Sequence, residues 1–476
     1  MRKLKRSPFK VNRREKDPEA FGLRTKEIVA CVEALFNQTS LVISGPKGIG
    51  KTSLGDQIQI ILQGNSALLK RCGLDAKFSN HLCVYYPVAS GITLDKIVLD
   101  ILYLLEKEGR SLLNVGFSDV KPSFEIDLGI VKARLETEVH STKRSPATTA
   151  FQFAEGLQLL LQGIQKLRYG GITILLDELD QLPTEIEFGK FAKVVHETLD
   201  SKNLNNVTFL FIGRSGTYTR FSNEHPSFER IVHHVPLSIL DREAAEHVLF
   251  YAAKHASPPF GIEQHALDLI LGLASGYPDT LHLIGNAAFL EMKNEKKMTQ
   301  EDVLNGIQAV LESNKREKYL EQIKGLSEDE IIVLNSLSRY EAETLPTRIP
   351  YSWLSRKLGF FKSDFNLVAT LNSLVQRGYL IHNEKQAYYQ FAEELLKVFF
   401  NLLNMERREL ISVRRSKQDE IIRAERRETE IQSLLRSGDV GDIDDRKYLE
   451  VLDKDEEEEL VRMVRADYQD SHYLVT

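Results

Sequence analysis

The chain has 476 residues, 42% hydrophobic and 27% charged, with a net charge of -6. That length points to two to four domains rather than one core, and the mild acidity excludes a surface coated throughout with nucleic-acid-binding charge. Apolar runs such as residues 97–105 are broken by charge well short of a bilayer's thickness, which excludes a membrane partner, and Cys31, Cys72 and Cys83 form no CxxC pair or disulfide framework, as expected of a reducing, cytoplasmic setting.

Residues 1–16 carry Arg2, Lys3, Lys5, Arg6, Lys10, Arg13, Arg14 and Lys16 against a single acid, Glu15. They lack the apolar core of a secretory signal. Such a run is either a solvated terminus or a basic arm that meets a phosphate backbone or an acidic partner surface.

Residues 41–44 form a short apolar strand candidate, and Leu54, Ile58, Ile61 and Leu62 give the segment 53–62 helical spacing. Between them Gly45-Pro46-Lys47-Gly48-Ile49-Gly50-Lys51-Thr52 matches G-x-x-x-x-G-K-[ST] in full. A glycine-rich turn from strand to helix gathers backbone N–H groups around phosphates at the positive end of the helix. The motif therefore predicts a nucleoside triphosphate, ATP, bound with magnesium by residues 45–53, with Ser53 the last of the set. Lys51 reaches the β- and γ-phosphates, and the Thr52 hydroxyl binds the metal.

A second buried strand is expected at 83–88, followed by an insertion over 108–146 whose residues 124–139 alternate like a hairpin. The continuous apolar run 171–176 reads as a strand covered on both faces, ending in Asp177. Ligands bind beyond the carboxyl ends of such strands, so Asp177 is the expected second magnesium contact, mainly through water. Glu178 stands next, placed to polarise an attacking water; Asp180 reads as a helix cap or loop acid. Further strands are expected at 207–213 and 231–236. Five strands separated by helices make a parallel α/β sheet with helices on both faces.

Over residues 17–400 this pattern resembles AAA+ and STAND ATPases, in the branch close to initiator (origin-recognition-like) ATPases. Residues 17–28 look like the box that shapes the adenine pocket, although Leu23 separates Gly22 from Arg24 where that family has them adjacent. The resemblance puts Arg214-Ser215 in the sensor 1 slot. It makes Arg220 and Arg230 candidates to reach a neighbour's γ-phosphate, with catalytic roles for Glu178, Lys51, Arg214 and Arg230. Residues 240–245 open a helical lid with Asp241 as N-cap. Gly276-Tyr277-Pro278 matches the STAND-type Gly-x-Pro and brings Pro278 to the nucleotide. Asp279 and Thr280 stand where the sensor 2 arginine of initiators falls.

Residues 327–403 read as a winged helix: helices at 326–338, 349–358 and 363–377, then wing strands at 378–381 and 387–391. Ser327-Glu328-Asp329-Glu330 is a capped acidic helix start. Lys362 and Arg377, opposed by Asp364, are little charge for a helix that reads a DNA groove, so a protein-contact or lid role is an equal expectation. A charged helix follows over 404–436, then an acidic tail. The domains expected are an arm (1–16), a nucleotide-binding domain (17–240), a lid (241–322), a winged helix (323–403) and a charged tail (404–476). What the resemblance implies is an ATP-hydrolysing switch in defence or signalling. Such a switch assembles into a nucleotide-dependent homo-oligomer or controls a protein effector. A DNA-binding loader of the initiator kind is the alternative. A scaffold that binds ATP without turnover is a third reading, against which Glu178 speaks.

Overall fold

The computed structural model describes residues 6–75, 80–116, 146–165, 169–340, 348–358, 365–383 and 387–414. The expected hairpin at 124–139, Lys362, Asp364 and the tail beyond 414 lie outside the described residues. Two compact units divide the chain: Met1–Gly261 with Gly276–Leu283, and Ile262–Ser275 with Ile284–Thr476.

In the first unit the five apolar runs become β1 (Ser40–Ser44), β2 (His81–Pro87), β3 (Gly171–Asp177), β4 (Val207–Gly213) and β5 (Val232–Pro236). All pair in parallel, in the order β2-β3-β4-β1-β5. Every residue of β1, β3 and β4 is buried, as strands covered on both faces require. One face is covered by α1 (Thr25–Phe36) and α2 (Lys51–Leu62), whose Ile28, Leu35, Leu54 and Ile58 pack on Leu41, Ile43, Leu210 and Ile212. The other takes α3 (Leu94–Gly116), α4 (Pro146–Gln165) and α5 (Phe188–Ser201), with an aromatic cluster of Phe153, Phe188 and Phe191 against Phe209 and Phe211. The residues of β1, β3 and β4 thus each enter one of the two layers.

The chain order places β4 last but one, yet it lies in space between β1 and β3. The loop after β4 therefore opens between the ends of the P-loop strand and the Asp177 strand. α6 (Thr217–Glu224), α7 (Phe228–Ile231) and α8 (Arg242–Lys254) follow, with the expected Asp241 cap accepting from the Ala244 N–H at 2.8 Å.

In the second unit, helices Glu328–Ser338, Tyr351–Leu358 and Leu367–Gln376 accompany a three-stranded antiparallel sheet. The expected wing forms as Leu380–Asn383 paired with Tyr388–Phe391. The segment expected to begin a helix at 349 instead gives Ile349–Pro350 to the sheet as a third strand, and the helix starts at Tyr351. Proline lacks a backbone donor and suits such an edge. The Ser327 box closes as expected: its Oγ accepts from the Glu330 N–H at 3.2 Å, and Glu330 Oε2 accepts from the Ser327 N–H at 2.8 Å. Leu334, Leu371, Leu374, Phe399 and Phe400 are buried in this unit.

Candidate nucleotide site

The loop from β1 to α2 turns on glycines. Gly48 (φ +79°) and Gly50 (φ +95°) occupy left-handed backbone, and a Cβ on Gly48 would lie 3.1 Å from Asp279 Cβ. Arg24 pins the loop from below, donating to the Ile49 carbonyl at 2.8 Å and to the Ser238 carbonyl at 2.5 Å. The misaligned Gly22-Leu23-Arg24 box thus still brings its arginine under the loop. Lys51 opens α2 and turns its Nζ back onto the Gly45 and Pro46 carbonyls, at 3.0 and 2.8 Å. Burial holds its ammonium below the ordinary range, against the pull of Asp177 and Asp180.

Asp177, at the end of β3, is buried and three times bonded. Its Oδ2 accepts from the Thr52 hydroxyl at 2.6 Å and from the Tyr85 hydroxyl at 3.1 Å; its Oδ1 accepts from the Glu178 N–H at 2.8 Å. Glu178 is exposed toward the cavity in left-handed backbone, φ +59°. Asp180, expected as a cap or loop acid, grips Arg214: it accepts from the Arg214 N–H at 3.1 Å and pairs with Nε at 3.0 Å. Arg214 thereby stands at the cavity, after β4, between P-loop and Asp177.

The cavity measures about 470 Å³, within the range of small-molecule sites. Gly48, Gly50, Lys51, Thr52, Ser53, Asp177, Glu178, Asp180 and Arg214 line it, and Ala20, Phe21, Gly22, Leu240 and Val248 add apolar surface. Pro278 lines it too, and the Asp279 N–H lies 3.3 Å from the Gly48 carbonyl. An acid thus sits against the P-loop.

The two other arginines part company. Arg220 donates to the Leu182 and Leu179 carbonyls at 2.9 and 3.0 Å, so its guanidinium is committed to the loop behind Glu178. Arg230 is exposed on α7.

Sequence reasoning missed the arm. Residues 6–16 do not stand off in solvent: Phe9 and Glu15 are buried, and Lys10, Asn12, Arg13, Arg14 and Glu15 line the cavity. His282, also at the cavity, has its Nδ1 3.5 Å from the Lys10 N–H and faces Phe9 edge-on at 6.3 Å. Charge in the arm was legible, but its destination depends on contacts hundreds of residues away.

The donor set fits the group that the motif implies. A hydroxyl and a carboxylate are hard oxygen donors of the kind magnesium takes, and an ammonium bonded to carbonyls is ready to exchange them for phosphate oxygens. No family model matches the chain, and neither does any curated protein. Among solved structures it is similar to a Walker-type ATPase of Pyrococcus abyssi, with TM-score 0.51 and 13% identity over 82% of this chain and 99% of that one. It is also similar to the ORC2 protein of Aeropyrum pernix in its ADP form, with TM-score 0.42 and 14% identity over 84% of this chain and 97% of that one. At such identities the first likeness is one of fold. Together with the strand order, it gives the first unit the fold of P-loop ATPases.

Proposed function

We propose that the chain is a magnesium-dependent ATPase. The observation that carries this reading is the meeting of Thr52 with Asp177 at 2.6 Å, beside a glutamate turned toward the same cavity. Lys51 exchanges its loop carbonyls for the β- and γ-phosphate oxygens. Thr52 and Asp177 would hold the metal, which would supply neutralisation of phosphate charge there. Glu178 accepts the proton of a water whose oxygen bonds the γ-phosphorus as the bridging bond to ADP breaks. Arg214, held by Asp180, brings a cation to the charge that develops. The apolar wall from Ala20 to Gly22 with Leu240 and Val248 suits the base, and Pro278 and Asp279 close the P-loop from the lid side.

A switch in self-assembly is one output of such a cycle, and the exposure of Arg230 before β5 supports it: in a homo-oligomer this side chain enters the neighbour's site. Engagement of DNA by the winged helix, in the manner of a loader, is the second. It is supported by exposed Arg348 and Arg356 beside the wing, with Arg348 5.5 Å from the Tyr388 ring.

Two variants test the ATPase. Lys51→Ala is expected to weaken ATP binding at least about tenfold, a loss of about 1.4 kcal/mol. Glu178→Gln is expected to bind ATP normally and lose about 10²- to 10⁴-fold in turnover. Normal phosphate release by Glu178→Gln overturns the assignment of the base.

A further inference from the structure

The arm reaches the metal-binding carboxylate through one intermediary. Arg14 lies over the Tyr85 ring, 4.0 Å from its centroid, and donates to the Tyr85 hydroxyl. Tyr85 donates to Asp177 Oδ2, the oxygen that also accepts from Thr52. On its other side Arg14 lies 3.7 Å from Asp56 Oδ1. Asp56 is buried one turn beyond Thr52 on α2, and its Oδ2 has no hydrogen-bond partner among the described residues.

The backbone next to Arg14 is anchored. The Glu15 N–H donates to Ser53 Oγ at 3.1 Å, and the Glu15 carbonyl accepts from Gln57 Nε2 at 3.0 Å. Arg14 is thus delivered to a fixed point beside α2, between two acids. A cation on the face of Tyr85 restrains the ring, and a guanidinium donating to its oxygen makes the hydroxyl a stronger donor. Both effects reduce the freedom of Asp177.

We propose that Arg14 is a positioning residue for the metal: acting through Tyr85, it fixes Asp177 in the orientation that magnesium needs and makes the arm part of the MgATP site rather than a cover over it. The inference rests on the nucleotide reading above. Partners that orient a metal ligand typically contribute about 10- to 100-fold in metal affinity.

The test is titration of the full chain with a fluorescent ATP analogue, once in excess magnesium and once in EDTA. The readout is the ratio of the two dissociation constants, which a merely structural loss leaves unmoved. Arg14→Ala and Tyr85→Phe are each expected to reduce the magnesium-dependent gain about tenfold, whatever either change does to the affinity in EDTA. Because the two act in series, the double variant is expected to match Tyr85→Phe alone. An unchanged ratio in Arg14→Ala overturns the proposal, as do equal losses with and without magnesium, or additive losses in the double variant. Binding by Lys51→Ala as tight as that of the unmodified chain is a separate result, and it removes the nucleotide reading instead.

Discussion

Glu178 occupies left-handed backbone, which costs a residue with a β-carbon on the order of 1 kcal/mol. The strain turns its side chain out at the end of β3, while its N–H fixes Asp177 Oδ1. His282 is the second residue whose setting departs from its chemistry in water. Burial, with the nearby Lys10 charge, lowers its pKa from 6.5 to about 4. A histidine depressed in the fold takes up its proton more readily when unfolded. Its stabilising contribution is therefore complete above about pH 6.5 and is lost as pH falls from there toward 4. His282→Gln is expected to flatten the slope of unfolding free energy against pH within that window, read from urea melts; an unchanged slope refutes the neutral, half-buried imidazole. Cys31 on α1 and Cys83 on β2, pushed up to about 12 by burial, are inert thiols in the core.

Among elements, the arm and the third helix of the winged unit changed most between sequence and structure. The arm's basic run left two readings open, and neither was packing at the nucleotide cavity. Arg377 ends the helix Leu367–Gln376, where a DNA-reading role was an expectation. It instead donates to Glu330 Oε2 at 2.7 Å and to the Gly325 carbonyl at 2.7 Å. Burial pushes Glu330 up, but bonds from Ser327, Ser373 and Arg377 outweigh it and hold the carboxyl below its ordinary range. Arg377→Ala is expected to cost roughly 1–2 kcal/mol of stability, since the pair is part-exposed and screened. DNA affinity, where present, is expected not to change its salt slope in that variant. Loss of Arg348 or Arg356 instead reduces the slope by about one each if they meet phosphates. Denaturant melts and salt titrations of the same variants separate the two roles.

For the whole molecule, the question is whether the site is completed by a second copy. Arg220 is turned into its own chain, which leaves Arg230 as the arginine presented outward near β5. Arg230→Ala is expected to bind ATP as tightly as the unmodified chain and to lose turnover about 10³-fold or more where assembly supplies the arginine in trans. Mixing it with Glu178→Gln is expected to restore activity, because each neighbour supplies what the other lacks. Sizing with and without ATP checks the same point: a monomer under both conditions, with full activity, rules out a trans arginine.

The sequence by itself determined the glycine-rich loop between β1 and α2, the place of Asp177 and Glu178 at the end of β3, and all five strands of the sheet. Each is written in a contiguous segment: glycines where backbone must turn left-handed, apolar runs where two layers cover a strand, acids at a strand's end. The Asp241 cap and the Ser327 box were legible for the same reason, since their bonds span three residues. What the tertiary structure decided joins distant segments. Strand order put β4 between β1 and β3 and so brought Arg214 to the cavity, while Asp180 became its clamp. Packing within each unit committed Arg220 and Arg377 to groups of their own chain. Lys10 met His282 across 272 residues, and Arg14 met Tyr85 across 71. No local period encodes such a meeting, because it depends on where two surfaces come to rest when the sheet closes its core.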